Sequence, residues 1–200
     1  MGGGYREEGE RGVIPELKGY AFFYFVCEGT NEEHILHWMD EEQALCIEKD
    51  CYSLEFCRCR SKKGRQELAR QIKEMDYDGP VAVIYICDSA KEEWKLPKRE
   101  IGTDIPIIHV VTKQEIEILL ILSDEKAYKA WLSGKKNTMK ASAFARGYFK
   151  TDVKNGEIFR ERFEDFGQLV EACRKYKSQS GNNDGCPCLY DLLDERYTGK

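Results

Sequence analysis

The chain has 200 residues, of which 42% are hydrophobic, 34% charged and 12% aromatic. This is the composition of a soluble globular protein rather than of a disordered or membrane-spanning one, and no apolar run reaches the roughly 20 residues that cross a bilayer. The formal net charge is −5, which argues against a protein that coats nucleic acid nonspecifically but is compatible with a local basic patch. The first residues form no apolar signal segment, so we expect a cytoplasmic protein without membrane contact.

Hydrophobic patterning predicts four strands and four main helices. The strands are expected at 20–27, 52–59, 81–87 and 106–111, and the helices at 30–45, 63–76, 114–133 and 162–177. Thr30 or Asn31 is expected to cap the first helix, with Glu32 and Glu33 at its positive end. Alternating strands and helices predict an α/β fold with a mainly parallel four-stranded sheet flanked by helices.

Composition along the chain suggests how it is divided. Residues 1–19 are expected to be a flexible lead-in and residues 20–178 a single α/β domain. Residues 179–200 are expected to form a linker and a small C-terminal helical appendage, because SQSGNNDG at 178–185 is rich in Gly, Ser and Asn.

Nine cysteines are present, an odd number that excludes complete pairing within the chain. Two of them lie inside apolar runs, where a reduced thiol behaves as a small hydrophobic side chain. The CRC and CPC pairs at 57–59 and 186–188 could together form a four-thiolate zinc site, but zinc pairs usually have two to four intervening residues. We therefore predict nine reduced, metal-free cysteines, with zinc as the alternative.

Acidic residues follow two of the predicted strands directly. Glu28 follows strand one and Asp88 follows strand three. The carboxyl ends of parallel strands meet at one edge of the sheet, so we expect both carboxylates in one crevice, where they would repel each other unless a divalent cation lies between them. The alternatives are that Glu28 is only a helix-entry acid, and that Asp88 is a helix cap or turn residue.

A basic run follows the second predicted strand. Cations at a helix N-terminus are unfavourable, so the run favours contact with nucleic-acid phosphates over a solvated loop. A second basic group follows the long helix. From the two we select as nucleic-acid-binding residues Arg58, Arg60, Lys62, Lys63, Arg65 and Lys140.

Two segments resemble a known family. "VCEGTNEE" at 26–33 resembles the opening motif of RloB-like proteins of bacterial defence islands, a group with the topoisomerase–primase (TOPRIM) fold. "VTKQEIEILLIL" at 111–122 resembles the segment of that group in which a glutamate precedes an apolar helix. The resemblance covers about residues 20–150 and rests on these short motifs.

The resemblance implies roles for three carboxylates. Glu28 matches the TOPRIM glutamate, which acts as general acid/base or metal ligand. Asp88 matches the first residue of the Asp-x-Asp pair that holds Mg²⁺, but the second aspartate is replaced by Ala90. Glu117 is the best-placed substitute, ahead of Glu92 and Glu93. The expected metal and catalytic set is therefore Glu28, Asp88 and Glu117.

The function implied is that of a Mg²⁺- or Mn²⁺-dependent nuclease that cleaves DNA or RNA phosphodiesters in phage or mobile-element defence. TOPRIM domains of this kind are often coupled to an ATPase, so an ATPase partner protein or a homodimer is expected. The alternative is a catalytically degenerate TOPRIM-fold module that binds a partner protein or nucleic acid, which Ala90 and the acidic net charge favour. A third alternative is a small-molecule sensor in the same crevice, but no residue of the sequence favours it.

Overall fold

A computed structural model of the protein describes residues 14–55, 57–102, 104–113, 115–134, 139–179 and 185–199. Its sheet contains β1 (Phe22–Cys27), β2 (Tyr52–Ser53), β3 (Val81–Cys87) and β4 (Ile107–Val111). The strand order is β2-β1-β3-β4 and every pairing is parallel. The predicted fold class, an α/β protein with a four-stranded parallel sheet flanked by helices, is confirmed.

Helices connect the strands and follow the sheet. They are α1 (Thr30–Glu41), α2 (Lys62–Glu74), α3 (Lys98–Ile101), α4 (Ile118–Ser123), α5 (Glu125–Ser133), α6 (Ala141–Phe149), α7 (Ile158–Arg162), α8 (Phe166–Gln179) and α9 (Glu195–Thr198), with short 3-10 turns at Pro15–Leu17, Lys49–Cys51 and Leu189–Leu192. None of the described helices is long and apolar enough to cross a membrane.

The sheet separates two apolar cores. Alternate side chains of a strand point to opposite faces, and in β3 all seven are buried. Ala82, Ile84 and Ile86 enter the larger core, beneath α1, α4 and α8. Val83 and Tyr85 enter the smaller core, beneath α2 and Trp94. A strand buried on both faces reads as a continuous apolar run, which is why β3 was predicted with its observed bounds.

The predicted second strand is wrong in length, since β2 ends at Ser53 rather than at residue 59. A turn follows, in which the Cys57 N–H donates to Leu54 O at 3.1 Å, and Cys57 O then accepts from the Cys27 N–H at 2.7 Å. Cys57 is buried in the larger core and Cys59 in the smaller one. The strand ends because the turn that follows it places these two thiols in opposite cores.

The predicted helix at 114–133 is two helices. Asp124 is extended, with φ −108° and ψ 113°, and its side chain accepts from the N–H groups of Lys126 and Ala127. A residue that caps a new helix cannot continue the previous one. Helices α6 and α7 were not predicted.

Both ends of the described chain contact the larger core. Ile14 and Leu17 are buried in it, and so are Leu189, Leu192 and Leu193. The C-terminal segment also borders the sheet, because the Val111 N–H donates to Pro187 O at 2.8 Å. Most of the predicted lead-in (1–13) and the middle of the predicted linker (180–184) lie outside the described residues.

Candidate functional site

Glu28 and Asp88 meet at the carboxyl edge of the sheet. Strand β1 pairs with β3, and Cys27 lies opposite Ile86. The Glu28 N–H continues this ladder by donating to Ile86 O at 2.8 Å. The Glu28 side chain turns back, and its Oε2 accepts the Asp88 N–H at 2.8 Å. The prediction that these two acids lie on adjacent strands at one edge is confirmed.

An open crevice of about 220 Å³ lies at this edge. Five carboxylates line it: Glu28, Glu32, Asp88, Glu115 and Glu117. Two cations, Arg60 and Lys154, line it as well. The structure therefore brings all three predicted carboxylates together and adds two that the sequence argument had not selected.

Glu117 reaches the crevice from the fourth strand. It occupies the N-cap position of α4, as expected for a residue that starts the helix after β4, and only 3% of it is exposed. Glu32, in the first turn of α1, is 6% exposed. From the sequence, Glu32 was placed only at the positive end of the first helix, so its burial in the crevice was not predicted.

Burial and mutual repulsion raise the proton affinity of this acidic group. Burial, followed by the charges of Glu28, Glu32, Glu115 and Glu117, raises the pKa of Asp88 to about 8. Burial raises the pKa of Glu32 to about 7, with smaller contributions from the charges of Glu117 and Glu28. Burial also raises the pKa of Glu28 and of Glu117. Without a bound divalent cation, these four acids bind protons more tightly than ordinary carboxyls do.

Two buried side-chain oxygens at this edge have no hydrogen-bond partner among the described residues. Asp88 Oδ1 and Thr112 Oγ1 are both buried and unsatisfied. They follow a register pair of the sheet, Cys87 and Val111, and the Thr112 N–H donates to Cys87 O at 3.0 Å. A buried oxygen without a partner is costly, so Asp88 Oδ1 is the clearest sign that the crevice accommodates a ligand.

Carboxylate oxygens are the donors that Mg²⁺ and Mn²⁺ prefer, and Mg²⁺ usually keeps several waters while binding one or two carboxylates. Within the described part of the chain, no group of three or more His, Cys, Asp or Glu side chains is arranged to hold a metal ion by itself. The described residues therefore form no closed all-protein cage, and the crevice offers carboxylate oxygens of the type that a largely hydrated divalent cation uses.

Glu115 differs from the other crevice acids. Its backbone has φ 70°, an unusual conformation for a residue with a side chain. Glu115 Oε2 accepts the Ser142 N–H at 3.0 Å at the start of α6, and Lys140 and Lys154 lie 3.5 and 3.9 Å from Oε1. Partial burial opposes ionisation, but these contacts lower the pKa of Glu115. It is the ionised anchor of two lysines.

The basic run is divided by its surroundings. Arg60 lines the crevice, whereas Arg58 forms an ion pair with Glu33. Ser61 caps α2 by accepting the Gly64 N–H at 3.0 Å. The remaining selected residues of the run, Lys62, Lys63 and Arg65, belong to the first turns of α2, and none is among the crevice residues.

The other carboxylates weighed for the site are placed differently. Glu92 Oε1 accepts the Tyr85 O–H at 2.7 Å, and Glu92 lies close enough to Glu28 to raise the pKa of that carboxyl. The Glu93 side chain is 79% exposed and pairs with Lys95. The alternative reading of Asp88 as a helix cap is wrong, because residues 88–97 are turn and irregular structure.

The zinc alternative is contradicted by the topology. Cys57 borders β1 on the β2 side of the sheet, whereas the CPC segment borders β4, through Pro187. These are opposite edges in the order β2-β1-β3-β4, so the four thiols cannot share one ion. All nine cysteines are free in the structure.

Searches against models of protein families, curated proteins and solved structures found no match to this chain. The fold and the crevice define an α/β protein with an acidic site at the carboxyl edge of a parallel sheet. Any more specific function has to be argued from the residues of that site.

Proposed function

We propose that this chain is a Mg²⁺- or Mn²⁺-dependent nuclease of TOPRIM type that acts on nucleic-acid phosphodiesters. The observation that carries the proposal is Asp88 Oδ1, a buried carboxylate oxygen without a partner among the described residues, in a crevice lined by four further acids. Repulsion among these acids is relieved when a divalent cation binds. The resemblance of the Glu28 and Glu117 segments to RloB-like proteins adds the reaction class.

The crevice carboxylates have different roles in the proposed reaction. Asp88 and Glu117 would hold the cation, which would neutralise phosphate charge and lower the pKa of the attacking water. Glu28 accepts the Asp88 N–H through Oε2, and burial raises the pKa of the Glu28 carboxyl. A carboxyl so tuned is suited to general acid/base transfer at the phosphodiester.

Two cations at the crevice supply the contact to substrate. Arg60 and Lys154 both line it, next to the carboxylates. Guanidinium and ammonium groups bind phosphate oxygens through charge-assisted hydrogen bonds. Both would hold the backbone of the nucleic acid rather than its bases, so binding is expected to depend on salt more than on sequence.

The test is cleavage of plasmid DNA, single-stranded DNA and transfer RNA by the purified protein in Mg²⁺ and in Mn²⁺, with and without a candidate ATPase partner. Cleavage that requires the metal and is lost in Glu28→Gln supports the proposal. Cleavage that survives Glu28→Gln points to a contaminant or another site. Absence of cleavage in every combination overturns the nuclease assignment.

A second function is favoured by a specific observation. Position 90 carries alanine where the family pattern has an aspartate, and no three acidic, His or Cys side chains of the described residues form a ready metal site. A degenerate TOPRIM module that binds nucleic acid or a partner protein would keep the crevice without the reaction. It predicts binding of oligonucleotide without cleavage.

A cytoplasmic role in phage or mobile-element defence, with an ATPase partner or as a homodimer, is part of either proposal.

A further inference from the structure

Asn31 is a buried polar side chain to which the proposed reaction assigns no role. It is the second residue of α1 and is 4% exposed. From the sequence, Asn31 or Thr30 was expected to cap this helix. That prediction is wrong, because Gly29 occupies the N-cap position and makes no side-chain cap bond. The amide of Asn31 instead forms hydrogen bonds with residues that are distant in sequence.

Three hydrogen bonds join this amide to two other segments. Asn31 Nδ2 donates to Glu117 Oε1 at 3.0 Å and to Val153 O at 2.8 Å. Asn31 Oδ1 accepts the Gly156 N–H at 3.1 Å. One side chain thus contacts both a crevice carboxylate and the loop at 153–156, and because all these groups are buried, losing any bond leaves an unsatisfied partner.

The 153–156 loop lies tightly against α1. Val153 is fully buried. Gly156 has φ 78°, and a Cβ at this position would be 2.6 Å from His34 Nε2, so the close approach requires glycine. Between them, Lys154 lines the crevice and lies 3.9 Å from Glu115. The loop is therefore the element that places a crevice cation.

We propose that Asn31 is a positioning residue that couples Glu117 to the 153–156 loop. One amide then fixes the positions of two side chains: Glu117, which would hold the cation, and Lys154, which would hold a substrate phosphate. A hydrogen bond to one oxygen of a metal-binding carboxylate orients that carboxylate and tunes its affinity for the metal. The roles of Glu117 and Lys154 rest on the proposed function, but the coupling itself is a property of the metal-free protein.

Asn155 offers a matched control in the same loop. Its Oδ1 accepts the Ile158 N–H at 2.9 Å at the start of α7, and its side chain is exposed. Asn155→Ala removes an asparagine amide beside Lys154 without touching Glu117. Comparing Asn31→Ala with Asn155→Ala therefore separates the coupling from a general loosening of the loop.

The first measurement is amide hydrogen exchange of the metal-free proteins. Asn31→Ala is expected to speed exchange at Gly156 by about tenfold or more, because its acceptor is lost, whereas Asn155→Ala should affect mainly Ile158. The second measurement is Mn²⁺ affinity by electron paramagnetic resonance. Asn31→Ala is expected to weaken Mn²⁺ binding by about 10- to 100-fold, as does the loss of other side chains that hydrogen-bond a metal ligand, and Asn155→Ala to leave it unchanged.

If Asn31→Ala does not fold, Glu117→Ala takes its place in the exchange experiment. It removes the other end of the bond while leaving Asn31 to bind the loop. Faster exchange at 153–157 in this variant supports the coupling, and exchange equal to wild type overturns it. Equal exchange and equal Mn²⁺ affinity for Asn31→Ala and Asn155→Ala also overturn it. A wild type that binds no Mn²⁺ refutes the proposed metal site alone, and the exchange result still decides the coupling.

Discussion

The backbone N–H of Asp88 donates to Glu28 Oε2 at 2.8 Å, across the pairing of β1 with β3. The donor is a main-chain group, so the position of the Glu28 carboxylate does not depend on the side chain at position 88. Asp88 Oδ1, in contrast, has no partner in the described residues. The two acids can therefore be altered separately, and each reports on a different property of the crevice.

Replacing Asp88 with asparagine is expected to stabilise the metal-free protein at alkaline pH. Burial and neighbouring carboxylates raise the pKa of Asp88 from 3.8 to about 8. A raised pKa means that the folded state binds the proton more tightly, so the contribution of Asp88 to the stability of wild type falls as pH rises from about 4 to about 8. The advantage of Asp88→Asn should grow over the same interval and be greatest near pH 8.

Thermal unfolding in the presence of a chelator, between pH 5 and pH 8.5, measures this. Asp76→Asn is the control, since Asp76 is exposed and should show no such growth. Mg²⁺ should stabilise wild type more than Asp88→Asn, because the cation replaces the proton. An advantage of Asp88→Asn over wild type that stays constant or shrinks from pH 5 to pH 8.5 without metal would contradict the prediction.

Glu28→Gln and Glu117→Gln are expected to abolish metal-dependent cleavage equally. Each substitution removes a charged oxygen from the crevice with little change in size. Glu93→Gln is the matched control, because the Glu93 side chain is 79% exposed and pairs with Lys95 outside the crevice. Single-turnover rates in Mn²⁺ measure the effect. Activity of Glu117→Gln close to wild type would show that Glu117 does not replace the missing aspartate.

Much of the fold could be predicted because its strands carry local signals. The apolar run of β3 gave its bounds, and the alternation of strands and helices gave a parallel sheet. Residues 54–59 could not be predicted, because the turn there depends on Cys57 and Cys59 finding cores on opposite faces of the sheet. Such a turn is specified by tertiary packing and not by the local pattern.

The candidate site was predictable only where residues follow strands. Glu28, Asp88 and Glu117 come directly after strands or start a helix next to one, so sheet topology brought them together. Asn31 bonds to Val153 and Gly156, more than 100 positions away in sequence, and this contact fixes the loop that carries Lys154. A single sequence has no signal for such contacts. Glu32 had a usable signal, its position one helical turn after Glu28 on the same connection.

Arg60→Gln is expected to weaken nucleic-acid binding more than Arg58→Gln, although both arginines belong to one loop. Arg60 lines the crevice, whereas Arg58 is already neutralised by Glu33. Losing one phosphate contact should reduce the salt dependence of binding by about one unit of slope. Fluorescence anisotropy with a labelled single-stranded oligonucleotide at several salt concentrations measures both slopes. Equal effects of the two substitutions would exclude Arg60 from the phosphate contact.

The thiols are expected to react slowly in the native protein and completely once it is unfolded. Seven of the nine cysteines are buried, and Cys46 and Cys186 are half-buried. Burial raises the pKa of the Cys59 thiol to about 11 and of the Cys46 thiol to about 12, which leaves little reactive thiolate at neutral pH. Titration with a thiol reagent before and after denaturation tests this. Fewer than nine thiols after denaturation without reductant, or zinc in the native mass spectrum, would contradict the reduced, metal-free state.

Thr112→Val is expected to stabilise the metal-free protein. Thr112 is 2% exposed, and its hydroxyl has no partner among the described residues. Valine has nearly the same shape and is favoured at the end of a strand, so the substitution removes an unsatisfied polar atom without leaving a cavity. We expect a gain of about 1 kcal/mol in the free energy of unfolding, measured by urea denaturation with a chelator present.

Thr198→Val is the comparison, because Thr198 Oγ1 is also unsatisfied. Thr198 is only half-buried near the C-terminus, where a small movement brings its hydroxyl to water. A gain at Thr198 that equals or exceeds the gain at Thr112, or a loss at Thr112, would show that the Thr112 hydroxyl is satisfied in solution.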